Sequence, residues 1–326
     1  MKFLSGIRPT NLLHIGNYFG ALKQFVEFQK TNDGLIMIAD LHSLDTVQKP
    51  SDLRRNILRL TATYLAVGLD ADKNILFQQS AIPEHAELAW IFSSLMKMSE
   101  LERMTQYKEK AKVRKENVPV ALFTYPTLMA ADILLYDPEI IPVGDDQVQH
   151  VEFARDIAER FNRIYGDTFK LPKAHLREGA KRIMALDDPL KKMSKSAESA
   201  KNYIALLDEP DVMRKKIQTA VTDSRNTIEY SDEQPGVKNL IDIFALVVDK
   251  TPNDIVASYN GKGYGDFKRD TAEAVVSYFS PIRERILTLL SDETSLAQII
   301  NDGTSRAQAI AINKISEVRE RIGLSL

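Results

Sequence analysis

The 326-residue chain contains no cysteine. That absence excludes disulfides, thiolate zinc sites and cysteine-held iron–sulfur clusters, and it fits a reducing compartment. No apolar run approaches the roughly 18 residues that a membrane span requires. The opening residues, Met1-Lys2-Phe3-Leu4-Ser5-Gly6-Ile7-Arg8, carry neither a long apolar core nor a cleavage site. No secretory signal is expected, and the expected location is cytoplasmic, without a membrane partner. Charge of one sign is lacking too, since 43 Lys and Arg stand against 45 Asp and Glu for a formal net charge of −2. Without a global basic field, any RNA contact must come from local patches. The best candidate runs from Arg103 to Lys115 and includes Lys108, Lys110, Lys112 and Arg114. With Glu102, Glu109 and Glu116 among them, these residues equally fit a solvated helix face carrying ion pairs.

What is present is an alternation of elements. Lys2–Gly6, Leu35–Ala39, Ile75–Gln79 and Ile140–Val143 read as short strands, and Leu35-Ile36-Met37-Ile38-Ala39 has the continuous apolar character of a buried parallel strand. Arg182-Ile183-Met184 reads as a last strand. Between them fall helical stretches: 16–29, one capped by Ser51 or Asp52 and stopping at Gly68, one opened by Pro83, and one from about Asp146 to Tyr165. The pattern predicts an α/β, doubly wound parallel-sheet (Rossmann-like) domain over residues 1–196. Such sheets bind ligands at the carboxyl ends of their strands. His14, Asp40, Gly144 and Lys192 all follow predicted strands, which places them on one rim. After Ala197 no strand is expected. Ala272, Val275, Val276, Phe279, Ile282, Ile286, Leu289 and Leu290 recur at helical spacing, with Pro281 expected to kink their helix, and Ala307, Ile310, Ala311, Lys314, Ile315 and Val318 form a second stripe. Residues 197–326 therefore read as an all-helical C-terminal domain.

Two segments carry the chemistry. His14-Ile15-Gly16-Asn17 puts an imidazole and a carboxamide around a glycine at a helix start, where backbone N–H groups donate to phosphate oxygens and a side-chain donor can meet developing charge. A capping or partly buried histidine fits the same residues. About 175 residues later, Lys192-Met193-Ser194-Lys195-Ser196 sets two cations and two hydroxyls in one short loop. Phosphoryl and nucleotidyl transfer depend on positioning and charge stabilisation, which such a loop supplies; an exposed basic turn has the same composition. A third group, Tyr125, Met129 and Asp132, falls at i, i+4 and i+7 and shares one helix face. A carboxylate beside a polarisable thioether suits an aromatic ligand bearing a single donor, such as indole N–H. Core packing of Tyr125 and Met129 with a paired acid at 132 is the alternative.

His14-Ile15-Gly16-Asn17 and Lys192-Met193-Ser194-Lys195-Ser196 together resemble the two signatures of class I aminoacyl-tRNA synthetases. The chain is similar over essentially its whole length to the bacterial-type tryptophanyl members. Further matches are Ser5-Gly6-Ile7-Arg8-Pro9, the segment from Tyr125-Pro126-Thr127 through Met129 and Asp132 to Leu134, Pro142-Val143-Gly144-Asp145-Asp146-Gln147-Val148-Gln149-His150, Arg182-Ile183-Met184, and Val221-Thr222-Asp223-Ser224. The tyrosyl members resemble this helix but usually carry glutamine where this chain has Met129. The resemblance implies activation of L-tryptophan by ATP and transfer to tRNA(Trp). It implies that His14, Asn17, Lys192 and Lys195 act on the phosphates. Arg8, Gly16, Lys108, Lys110, Gly144, Asp146, Ile183, Met193, Ser194 and Ser196 complete the implied ATP site. His42, Tyr125, Met129, Asp132, Val143 and Gln147 form the implied tryptophan site, with Gln147 and Tyr125 on the ammonium. Mg2+ is implied to travel with ATP, without a dedicated protein site. A homodimer and an anticodon-reading role for residues 197–326 are implied as well. Two positions depart from the family: Asn11 stands where glycine is usual, and Arg8 where many relatives have glutamine. A non-charging paralogue that binds tryptophan or RNA, or a smaller nucleotidyltransferase, shares parts of the pattern.

On this reading Lys195→Ala should cut adenylate formation by at least about a hundredfold while changing tryptophan affinity little. Unchanged tryptophan-dependent ATP–pyrophosphate exchange in that variant refutes the role given to Lys195.

Overall fold

The structure, a computed structural model, describes residues 1–10, 12–47, 49–114, 118–144, 147–176, 182–194 and 199–325, without the side chains of Lys110, Val113 and Arg114. Among the described residues one sheet has five parallel strands: β1 (Lys2–Ile7), β2 (Asp33–Ile38), β3 (Ile75–Gln78), β4 (Ile140–Val143) and β5 (Lys173–Leu176). Their order is β3-β2-β1-β4-β5. The chain therefore builds outward from β1 in one direction and then reverses, which puts the topological switch point between β1 and β4. β1 is laddered to β2 along its whole length but to β4 only at Phe3–Ile140. The carboxyl ends of the two central strands are thus free to bracket a crevice.

Alternation along the strands separates two apolar clusters, because successive side chains point to opposite faces. Phe3, Ile36, Ile38 and Leu76 face one cluster with Ile15, Leu60 and Tyr64. Leu4, Leu35, Met37 and Phe77 face the other with Leu88, Ile133 and Ile157. Helices Glu84–Leu95, Val120–Leu134 and Val148–Tyr165 cover that second face.

Several local readings need correction. Arg182-Ile183-Met184 is not a sheet strand; Met184 makes one isolated antiparallel pair with Lys192. The fifth strand is instead Lys173–Leu176, an edge strand whose Lys173 and His175 lie beside solvent, so it offers no apolar run to read. The helix Pro50–Ala66 has Lys49 as N-cap and Pro50 as its first residue, so Ser51 and Asp52 sit inside the first turn. Proline there is pre-set for a helix and lacks only an N–H that would have no helical partner. Residues 15–28 are helical, with a π-turn at Tyr18–Leu22.

From residue 199 onward the described residues form helices joined by irregular segments and no sheet strand, with one isolated pairing of Ala205 with His14. Tyr264–Leu290 runs through Pro281. The last helix, Glu293–Ile322, crosses the β3 edge of the sheet. Leu296 and Ile300 pack into the first cluster, while Ala307, Ala311, Ile315 and Val318 pack into the second. At the crossing, Thr304 Oγ1 accepts the Gln78 backbone N–H at 3.1 Å, which occupies a strand donor exposed at the edge. Gly303 lies so close that a Cβ there would sit 1.9 Å from the Leu76 carbonyl oxygen.

Gly303→Ala should therefore destabilise the protein by about 1–3 kcal/mol, against the gain of up to about 1 kcal/mol that the same change brings in an exposed helix. A melting temperature at or above that of the parent chain in calorimetry would rule out this close crossing.

Candidate active site

The switch-point rim is built from three sequence-distant pieces. His14 is extended and caps the helical stretch that begins at Ile15. Its Nδ1 accepts the Asn17 backbone N–H at 3.3 Å, and Asn17 Oδ1 accepts the His14 N–H at 3.1 Å. This is the reciprocal cap that satisfies helix-start donors. The plainer sequence reading of His14, as a buried cap, is therefore observed. The cap has a chemical consequence: with Nδ1 an acceptor, the neutral ring carries its proton on Nε2. Gly16 is needed for space, since a Cβ there would meet the imidazole at 2.9 Å and would lie 3.8 Å from the Met193 Cβ. The first signature and the lysine segment are thus brought side by side.

Backbone pairing holds that arrangement. Ile15 N–H donates to the Ile204 carbonyl at 3.0 Å, and Leu206 N–H donates to Leu13 at 2.9 Å. The lysine segment leaves a small ribbon in which Ala185 N–H donates to Lys191 at 2.8 Å and Met193 N–H to Ile183 at 3.1 Å. Two asparagines pin it. Asn239 exchanges two hydrogen bonds of 2.9 Å with the Met184 backbone. Asn202 accepts the Ser194 N–H at 3.0 Å and donates to Asp187 at 2.8 Å. Ile183 and Met193 are buried, Ser194 is half-buried and Lys192 is exposed. Lys195 and Ser196 lie outside the described residues, as do Asp146, Asn11, Lys115 and the side chains of Lys110 and Arg114.

Helix Val120–Leu134 supplies the third piece. Asp132 is 1% exposed and is the focus of a buried network. Its Oδ2 pairs with His42 Nε2, and its Oδ1 with both Gln79 Nε2 and His85 Nδ1, each at 2.7 Å. His85 Nε2 pairs in turn with the Tyr136 hydroxyl at 2.8 Å. Burial works to raise the Asp132 carboxyl, but the charge of His42 and the hydrogen bonds from His42 and His85 outweigh it and hold the group down at about 2. The acid is thus ionised at neutral pH. It is not the paired surface acid of the alternative reading, and its partners come from three separate elements. Earlier on the helix, the Tyr125 hydroxyl pairs with His150 Nε2 at 2.5 Å. Burial pushes that phenol above its usual range, opposed by the nearby Arg8 charge. Met129 is half-buried on the same element.

The remaining expected residues are spread along the rim. Arg8 follows β1 directly and pairs with Asp45 at 3.3 Å, on the side of the cleft nearer Tyr125. Val143 ends β4, Gly144 follows it, and Gln147 N–H turns back to the Gly144 carbonyl at 2.9 Å before helix Val148–Tyr165. Lys108 is exposed on helix Thr105–Arg114, whose start is tied to Gln149 Oε1 at 3.0 Å. Sequence reasoning missed Gln79, His85, Tyr136, Asn202 and Asn239. Gln79 could have been found, because it follows β3 as Asp40 follows β2. His85 gives no pattern of its own.

With this geometry in hand, similarity is informative. A family model described as tRNA synthetases class I (W and Y) matches residues 1–280. A tryptophan–tRNA ligase of Clostridium perfringens is 46% identical over 321 residues, covering 98% of this chain and 96% of the relative. A tryptophanyl-tRNA synthetase structure from Mycoplasma pneumoniae superposes with a TM-score of 0.90 at 35% identity, covering 99% and 98% of the two chains. One from Campylobacter jejuni, complexed with ADP and tryptophan, gives 0.87 at 38% identity, covering 99% and 100%.

The buried acid makes a pH-dependent prediction. An aspartate at about 3.9 unfolded and about 2 folded stabilises the protein fully above the unfolded value and loses that contribution as the pH falls through the folded one. Asp132→Asn should cost about 1–3 kcal/mol near neutrality, and the gap to the parent chain in urea unfolding should narrow from pH 6 to pH 3. A gap that stays constant or widens speaks against an ionised Asp132.

Proposed function

We infer that this chain, which belongs to the class I tRNA synthetases for tryptophan and tyrosine, is a tryptophan–tRNA ligase. It activates L-tryptophan with ATP and passes the activated residue to tRNA(Trp). Full-length similarity to tryptophan ligases supports the activity. The observation that carries the choice of amino acid is the ionised Asp132 on a helix bearing Met129: a carboxylate only accepts, and indole N–H only donates.

In the first step a tryptophan carboxylate oxygen bonds to the α-phosphorus of ATP, and the bond to the bridging oxygen breaks to release pyrophosphate. In the second, the terminal ribose hydroxyl of the tRNA attacks the activated carbonyl and AMP leaves. No protein nucleophile is required, because alignment and charge carry the rate. In this reading His14 donates from Nε2, Asn17 holds the cap, and Lys192 and Lys195 neutralise the α-phosphate and the departing pyrophosphate. Arg8, Gly16, Lys108, Lys110, Gly144, Asp146, Ile183, Met193, Ser194 and Ser196 complete the ATP site. His42, Val143, Gln147 and Tyr125 enclose the amino acid with Met129 and Asp132. Mg2+ arrives on the phosphates of ATP. The reading places anticodon recognition in residues 197–326, and pairs two chains as a cytoplasmic homodimer, for which the exposed Trp90 and Val120 on packed helices are available apolar contacts.

Aminoacylation of total tRNA with tryptophan, tyrosine and phenylalanine tests the inference. Tryptophan should be preferred by at least about a hundredfold. Comparable charging with tyrosine would transfer the chain to the other half of its family, and no charging at all would favour a binding paralogue.

A further inference from the structure

An ionised carboxylate offers about four acceptor positions, two on each oxygen. At Asp132, Oδ1 takes Gln79 Nε2–H and His85 Nδ1–H, and Oδ2 takes His42 Nε2–H. Among the described residues one acceptor position is left, and it is on Oδ2. Where that position points depends on the carboxylate plane, which two donors on the other oxygen fix.

His85 is the better anchored of the two imidazoles. It is fully buried, Phe77 stacks beside it at 6.2 Å with an interplanar angle of 21°, and the Tyr136 hydroxyl lies on its far nitrogen. Asp132 only accepts, so Nδ1 must carry the proton. In the neutral ring Nε2 then accepts from the Tyr136 hydroxyl. The opposite tautomer would turn a lone pair toward the carboxylate. His42, by contrast, sits on the Leu41–Asp45 turn with its side chain 13% exposed, on the same oxygen that keeps the open position.

We propose that His85, locked by Tyr136, is a positioning residue for amino-acid recognition: with Gln79 it saturates Oδ1 of Asp132, so that only Oδ2 is presented to the substrate donor. The proposal rests on the tryptophan reading of this site. His85 acts through Asp132 and does not itself touch the substrate. A structural role alone would be served by any side chain that fills the space and keeps one hydrogen bond. Positioning requires the bond to Asp132 specifically.

Two amides separate these roles, because the asparagine amide nitrogen is as many bonds from the backbone as Nδ1, and the glutamine amide nitrogen as many as Nε2. H85N keeps a donor for Asp132 and gives up the Tyr136 contact. H85Q keeps a partner for Tyr136 and leaves Oδ1 short of one donor. Tryptophan-dependent ATP–pyrophosphate exchange with the full chain should show KM for tryptophan within about threefold of the parent in H85N and raised roughly tenfold or more in H85Q, as expected for one lost hydrogen bond to a charge. KM for ATP should be unchanged in both. Y136F leaves the ring in place and should raise KM for tryptophan about threefold through the released tautomer, which keeps the test decisive where H85Q does not fold. Equal effects of H85N and H85Q, losses confined to kcat, or an unchanged KM in Y136F overturns the proposal. Failure of the parent chain to exchange with tryptophan would sink the activity reading itself, a separate outcome.

Discussion

The short antiparallel pairing of residues 13–15 with 204–206 carries the largest structural burden in this molecule. It joins the loop after β1 to the segment that follows the lysine ribbon, through the hydrogen bonds Ile15–Ile204 and Leu206–Leu13. Met193 lies beside Gly16, and the Tyr203 ring lies 5.9 Å from that of His14. The same signature helix is gripped from its other side. The Tyr18 hydroxyl meets that of Tyr278 at 2.9 Å, and the rings of Phe19 and Phe279 pack edge to face. Residues 14–22 are therefore clamped between two pieces of chain that both come after residue 199. The π-turn at Tyr18–Leu22 falls at this junction, a form of helix that commonly marks functional sites.

Much of this was legible before any coordinates, for definable reasons. Strands β1, β2 and β4 announce themselves because central parallel strands are buried on both faces and read as apolar runs, and β3, an edge strand covered by the last helix, reads the same way. β5 does not, because an edge strand with Lys173 and His175 at the surface has no such run. Arg182-Ile183-Met184 misleads in the opposite way: Ile183 is buried by the lysine ribbon and not by a sheet. The C-terminal stripe from Ala307 to Val318 was visible as a helix face, but not what it faces. Periodicity identifies the buried side of an element and says nothing about which partner buries it. That Gly303 marks the crossing of β3 follows from a backbone contact with Leu76, which leaves no trace in the spacing of apolar residues.

The site divides along the same line. His14, Gly16 and Asn17 are contiguous, as are Lys192 to Ser194, and contiguous motifs can be read directly. Asp132 was legible because it shares a helix face with Tyr125 and Met129. Its partners were not, since His42, Gln79 and His85 lie on three further elements and converge only after the sheet has formed. Tertiary networks of this kind are expensive to bury incompletely. A carboxylate taken out of water is tolerated here because three donors, two of them imidazoles, surround it, and removing any one leaves the charge short of a partner.

The two halves of the rim consequently differ in mechanical character. The Asp132 wall is buried, held by hydrogen bonds to His42, Gln79 and His85, and carried on a helix that packs against the sheet. Lys192 stands exposed at the end of a ribbon whose anchors, Asn202 and Asn239, hold the backbone and leave the cation in solvent. A rigid wall suits selection of a small side chain, where a displacement of a fraction of an ångström changes which donor is matched. An exposed cation suits a polyanion that brings its own counter-ion and must be released after reaction, since a lysine held in a buried pair would need its partner displaced each time. On the proposed reading, the division follows from the chemistry at each end: neutral indole would be chosen by geometry, whereas phosphates would be met by exposed charge. The close approach of Met193 to Gly16 is where the two requirements meet, because it places the end of the ribbon beside a cap that is itself fixed.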